Sequence, residues 1–195
     1  MAQQLKKVFL SASIPLPDRD QAYFSTADIC AIRDAVNALA KIIVPNAHLV
    51  WGGHPSITPL IRYILQQLKV DTKKHVTLYQ SIFFEDIFPV DNQLIENLVL
   101  TERLDDEPSS LKYMRNKMIV ENQFAAGIFI GGMEGVEEEF AIFSKSQPQA
   151  LLLPIASTGG AALNIFNKKE YDYSSELKTN FSYLSLFDHL LNEKI

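Results

Sequence analysis

Short, almost wholly apolar runs alternate with longer segments in which apolar residues recur every three or four positions, and this alternation continues along the whole chain. The runs at 7–10, 47–51, 75–79, 98–101, 126–130 and 150–153 read as strands. Between them, Ile29, Ile32, Val36, Leu39, Ala40 and Ile43 fall at helical spacing, as do Leu60, Ile61, Ile64, Leu65 and Leu68. Leu111, Met114, Met118 and Ile119 make a third stripe, and 136–143 a fourth helix. A further helix opens at 158–161, and a last one is expected over about 177–192. Strands that are apolar at nearly every position are buried on both faces. That requires a mainly parallel sheet with helices on each side. The stretch 81–104 is less regular and reads as a short helix near Gln93 followed by the strand at 98–101.

Punctuation supports these elements. Ser25 or Thr26, with Asp28 behind Ser25, resembles a capping box before the first helix. Pro45 and Asn46 end that helix, and Thr58–Pro59 suits a helix start with threonine as the cap. Ser109 or Ser110 is the expected cap of the helix that follows. No linker or repeat interrupts the pattern, so residues 1–195 are expected to form one domain, with the last helix packed on it or at an oligomer contact.

Composition narrows the function classes. A chain of 195 residues with 47% hydrophobic and 21% charged residues is ordinary globular material. Its net charge of −5 argues against duplex nucleic acid, which needs a basic face. One small phosphorylated ligand in a local basic pocket remains compatible. The apolar run near the start is broken by Pro15, Pro17 and Asp18, so it does not read as a signal peptide. No stretch reaches the roughly 18 apolar residues of a membrane span. A cytoplasmic protein without a membrane contact is therefore expected. The single cysteine, Cys30, cannot form an internal disulfide and is expected to pack in the apolar stripe of its helix. His48, His75 and His189 have no metal-ligand spacing with Cys30, so neither a metal nor another cofactor is expected.

Three strands end in small or hydroxyl residues just before helices: Leu10-Ser11-Ala12-Ser13, Trp51-Gly52-Gly53-His54 and Ile130-Gly131-Gly132-Met133. In a doubly wound sheet such turns gather at the carboxyl edge, where ligands bind. Glycine lets a ligand approach the backbone, and the free N–H groups of a helix start attract phosphate. His54 can donate to a phosphate or stack on a base, or simply cap its turn. Ser157-Thr158-Gly159-Gly160 forms a fourth turn of the same kind. Glu137, Glu138 and Glu139 are expected in the first turn of the following helix, where at most two can face the crevice. Arg115 borders the buried stripe and can reach the sheet edge to pair with phosphate or carboxylate, though a salt bridge to a nearby acid explains it equally.

At these residues the sequence resembles the SLOG superfamily of Rossmann-like proteins. That superfamily includes the Lonely-guy phosphoribohydrolases, the DprA-like proteins and the sensor domain of Thoeris antiviral effectors. The matching pieces are Ile130-Gly131-Gly132-Met133-Glu134-Gly135-Val136-Glu137-Glu138-Glu139 and Met114-Arg115-Asn116-Lys117-Met118. The hydrolase motif has a proline where Ile130 stands and a threonine where Val136 stands, and one extra residue separates Gly132 from Gly135. The resemblance implies a Rossmann-like fold, a homodimer or higher oligomer, and a small nucleotide-type ligand. The ligand classes it implies are ADP-ribose, cyclic ADP-ribose and NAD-related molecules. A role in bacterial antiviral signalling, with partner proteins encoded nearby, follows from the same resemblance. The ligand would contact Ser11, Ser13, Gly52, Gly53, His54, Arg115, Gly131, Gly132, Gly135, Glu138 and Glu139. If the protein is instead an N-glycosidase acting on a nucleoside 5′-monophosphate, the resemblance makes Arg115 and Glu139 the catalytic pair.

Overall fold

The computed structural model describes residues 5–192, 194 and 195, with the backbone alone for residues 93 and 94. The first four residues of the stretch weighed as a signal peptide lie outside the described residues.

Strand β1 (Lys7–Ser13) leads through a proline-rich loop and the short helix α1 (Gln21–Phe24) to α2 (Ile29–Ile43). Then follow β2 (His48–Trp51), α3 (Thr58–Leu68), α4 (Thr72–His75) and β3 (Val76–Ser81). Two 3-10 turns, Ile82–Ile87 and Val90–Leu94, precede β4 (Leu98–Thr101) and α5 (Glu107–Arg115). Helix α5 runs on into a π-helical turn, Asn116–Val120. The chain closes with β5 (Ala126–Gly131), α6 (Glu134–Ser146), β6 (Leu151–Ile155), α7 (Gly160–Asn167), α8 (Glu176–Thr179) and α9 (Tyr183–Leu191).

The six strands form one sheet in the order β4-β3-β2-β1-β5-β6, and every pairing is parallel. The doubly wound α/β fold follows from the period-2 alternation of strand side chains. Val8 and Leu10 face α2, α3 and α9, together with Leu49, Trp51, Ile128 and Ile130. Phe9, Val50 and Phe129 point to the opposite face, against Met118, Phe143 and Ile165. Aromatic rings dominate that second layer. Phe9 and Phe143 stack with centroids 5.3 Å apart. Gly127 makes room for Phe143, because a Cβ on Gly127 would lie 2.6 Å from its ring.

Several boundaries differ from the sequence expectation, each for a local reason. Asp28 itself caps α2, accepting from the Ala31 N–H at 2.9 Å. Cys30 is exposed and so does not pack in the core. It stands two positions before the buried Ile32, about 200° away around the helix. Ile29 is exposed as well. Thr58 does not cap α3, because Ile57 occupies that position; the buried Thr58 hydroxyl instead accepts from Trp51 Nε1. Asp106, rather than Ser109 or Ser110, caps α5. Helix α6 begins at Glu134 rather than Val136, which leaves Glu138 and Glu139 beyond its first turn. The expected C-terminal helix is two helices, α8 and α9. Tyr183, Leu186, Phe187 and Leu191 of α9 are buried against the α2 layer, whereas Phe181 is exposed.

Candidate ligand-binding site

Because β1 pairs with β2 on one side and β5 on the other, the chain reverses its winding direction between β1 and β5. The carboxyl ends of these strands therefore diverge into a crevice, the place where such sheets take ligands. A cavity of about 850 Å³ lies there. Its polar lining comes from the ends of three strands and the first two turns of α6: Ser11, Ser13, His54, Gln80, Gly135 and Glu139. Its apolar lining comes from Phe84 and Ile87 of the first 3-10 turn, Phe88 just after it, and Leu111, Met114 and Ile142.

The polar centre is a connected network. Ser11, buried at the end of β1, donates its hydroxyl to Glu139 Oε2 at 2.6 Å. Arg115 donates from Nε to Glu139 Oε1 at 3.3 Å and from Nη1 to Glu138 Oε2. Arg115 and Glu139 are mostly buried, with side chains 12% and 15% exposed, while Glu138 is open to solvent. Burial pushes the Glu139 carboxyl above the usual range, against the opposing pull of the Arg115 charge and the Ser11 hydroxyl. Gly135 belongs here because of what it lacks: a Cβ would sit 3.0 Å from Arg115 Nη2. The third carboxylate of the run points elsewhere. Glu137 accepts from Tyr23, Asn164 and Lys168 and ties α6 to α1 and α7. Two of the three glutamates thus reach the crevice, as helical geometry allows.

The second glycine turn is also part of the cavity wall. Gly53 adopts φ +69°, and its carbonyl accepts from Gln80 Nε2 at 2.6 Å. A Cβ there would lie 1.9 Å from that nitrogen, so only glycine fits. His54 Nδ1 accepts from the Ser56 N–H at 3.2 Å, which leaves the neutral ring's proton on Nε2. Burial, reinforced by the nearby Arg19 charge, pushes the His54 pKa down to about 4. The Ser56 hydroxyl accepts from the Ile14 N–H and so ties the β1 and β2 turns together.

The Gly131–Gly132 turn is placed differently. Gly131 donates its N–H to Thr158 Oγ1 and Gly132 to the Ser13 carbonyl, each at 2.8 Å. Both N–H groups are thereby consumed inside the protein, and neither residue lines the cavity. The fourth turn sits behind this one. Thr158 is fully buried, and Ser157 pairs with Tyr183. Among the other histidines, His48 bonds Lys74 O and Thr77. No cluster of three metal-ligating side chains occurs among the described residues.

Sequence reasoning missed Arg19, Gln80 and the wall residues Phe84 and Phe88, all of which line the cavity. The only signal for Arg19 was its place in the loop directly after the central strand. The signal for the wall was an aromatic run with no strand or helix period.

Strand order and cavity position define a Rossmann-like α/β protein with a crevice at its switch point. The model of the SLOG cluster3 family matches residues 22–191, and the chain belongs to that family. The X-ray structure of TM1055, a structural genomics target, superimposes with a TM-score of 0.59 at 14% identity over 89% of each chain. At that identity the likeness concerns the fold alone. No curated protein matches the chain. Among the described residues no helix is long and apolar enough to cross a membrane.

Proposed function

We propose that the cavity binds a nucleotide-derived ligand of the ADP-ribose, cyclic ADP-ribose or NAD-related class. Family membership suggests binding of a nucleotide-related ligand or glycosidase activity, and the narrower ligand class is our own reading. The observation that carries the reading is the Ser11–Glu139–Arg115 network in the lining of a partly apolar cavity. A carboxylate fixed by a hydroxyl and a guanidinium is a preorganised acceptor for ribose hydroxyls. Phe84, Phe88 and Ile142 offer an apolar surface for a base. Gly131 and Gly132 shape the switch-point turn in this reading and do not hold phosphate. Use of the ligand as an antiviral signal belongs to the same proposal and rests on the resemblance alone.

Titration calorimetry with ADP-ribose, cyclic ADP-ribose, NAD and AMP tests the binding. At least one is expected to bind, and Glu139→Gln is expected to weaken it by about 10–100-fold, the loss of a charge-assisted hydrogen bond. Equal affinity in the variant would contradict the assignment of Glu139.

The contact between Arg115 and Glu139 also supports an N-glycosidase, in which Glu139 stabilises cationic charge developing on the ribose. Release of free base from a nucleoside monophosphate, lost in Glu139→Gln, would establish that reaction. Val136, buried where the hydrolase motif has threonine, supplies no hydroxyl and supports binding over hydrolysis.

A further inference from the structure

The cations that line the cavity are not equally available. Arg115 is paired with two carboxylates and mostly buried, so pulling it onto a ligand would strand Glu138 and Glu139. Lys112 is an exposed residue of the α5 wall. Arg19 stands in the loop between β1 and α1 and meets a single carboxylate, Glu134 Oε1, at 2.7 Å. Both members of that pair are more than half exposed, at 58% and 51%. An ion pair so exposed contributes little and exchanges readily.

Arg19 also faces other donors. It lines the same cavity as His54 and Ser13. The Nε2–H of His54 has no partner among the described residues. Ser13 is buried, 6% exposed as a residue, and lines the cavity; its hydroxyl likewise has no partner among the described residues. Helix α6 starts here with no side-chain cap on its first N–H groups. A guanidinium, an imidazole N–H, a hydroxyl and a helix start all offer hydrogens, and among them the Glu134 carboxylate meets the guanidinium alone. Such a set of donors suits an anion.

We propose that Arg19, with Ser13 and His54, forms the phosphate subsite of the cavity, and that Glu134 holds its place until a phosphate-bearing ligand displaces it. The proposal rests on the ligand-binding reading and deepens it. Arg19 fixes the phosphate end, and the Arg115–Glu139 network fixes the sugar.

The test compares ADP-ribose and AMP with adenosine, by calorimetry on wild type, Arg19→Ala, Arg19→Lys and Glu134→Gln. Arg19 is exposed, so its variants are expected to melt like wild type. Arg19→Ala should weaken ADP-ribose and AMP at least tenfold and leave adenosine unchanged, with partial recovery in Arg19→Lys. Glu134→Gln should tighten both phosphate ligands several-fold by releasing Arg19. Unchanged phosphate-ligand affinity in Arg19→Ala, beside measurable wild-type binding, would overturn this subsite alone. Absence of wild-type binding to all three probes would overturn the cavity reading and the subsite with it.

Discussion

Glu139 and His54 are both held away from their ordinary titration behaviour by burial, and in opposite senses for stability. The folded protein holds the Glu139 proton more tightly than the unfolded chain does. The stability this gives is fully present below the ordinary glutamate range and is lost as pH rises through the raised folded value. Glu139→Gln removes the buried charge while keeping a hydrogen-bond acceptor. In the free protein it should raise the melting temperature at pH 7.5, with the gain vanishing near pH 4. A variant less stable at pH 7.5 would show that the ion pair outweighs burial. His54 behaves the other way. Its folded pKa of about 4 lies below the unfolded value, so stability is intact above pH 6.5 and falls as pH drops toward 4. His54→Asn should flatten that acid limb in melts recorded between pH 4 and 7. Gly135→Ala is a third residue-scale test. Its Cβ would press on Arg115 Nη2, so ligand affinity should fall while the melting temperature stays within a few degrees of wild type.

Individual elements show what the sequence made legible. Alternation within β1 sends Val8 and Leu10 to one layer and Phe9 to the other, and simple counting along the strand shows it. The positions of Arg115 and Glu139 were readable because both lie in motif segments with fixed spacing. The Arg19–Glu134 contact was not, since it joins an irregular loop to a helix start 115 residues away and leaves no period behind. The fate of the Gly131 and Gly132 N–H groups was hidden for the same reason. Their acceptors, Thr158 and Ser13, come from other elements. Cys30 was misplaced because the apolar stripe was extended into the first turn of α2, before the buried face begins. At this scale Gly127 gives the clearest packing test. Gly127→Ala forces a Cβ to within 2.6 Å of the Phe143 ring and should cost about 1–3 kcal/mol in urea unfolding. Adding Phe143→Leu should recover part of that loss, because the two residues share one contact.

At the scale of the molecule, parallel strands, helices on both faces and a reversal of winding beside β1 place one polar network at one sheet edge. Charge points the same way, since a net −5 disfavours non-specific binding to polyanions and suits recognition of one small anion in a pocket. Binding that involves the folded state alone stabilises it by mass action. A ligand at 100 times its dissociation constant adds about 2.7 kcal/mol, or roughly 5–10 °C in melting temperature for a chain of this size. The most direct measurement is therefore a thermal-shift series with ADP-ribose, cyclic ADP-ribose, NAD and AMP on wild type and Arg115→Ala. At least one nucleotide should raise the wild-type melting temperature by that amount and leave the variant unmoved. No shift with any of them, or the same shift in both proteins, would contradict a nucleotide site at the β1–β5 crevice.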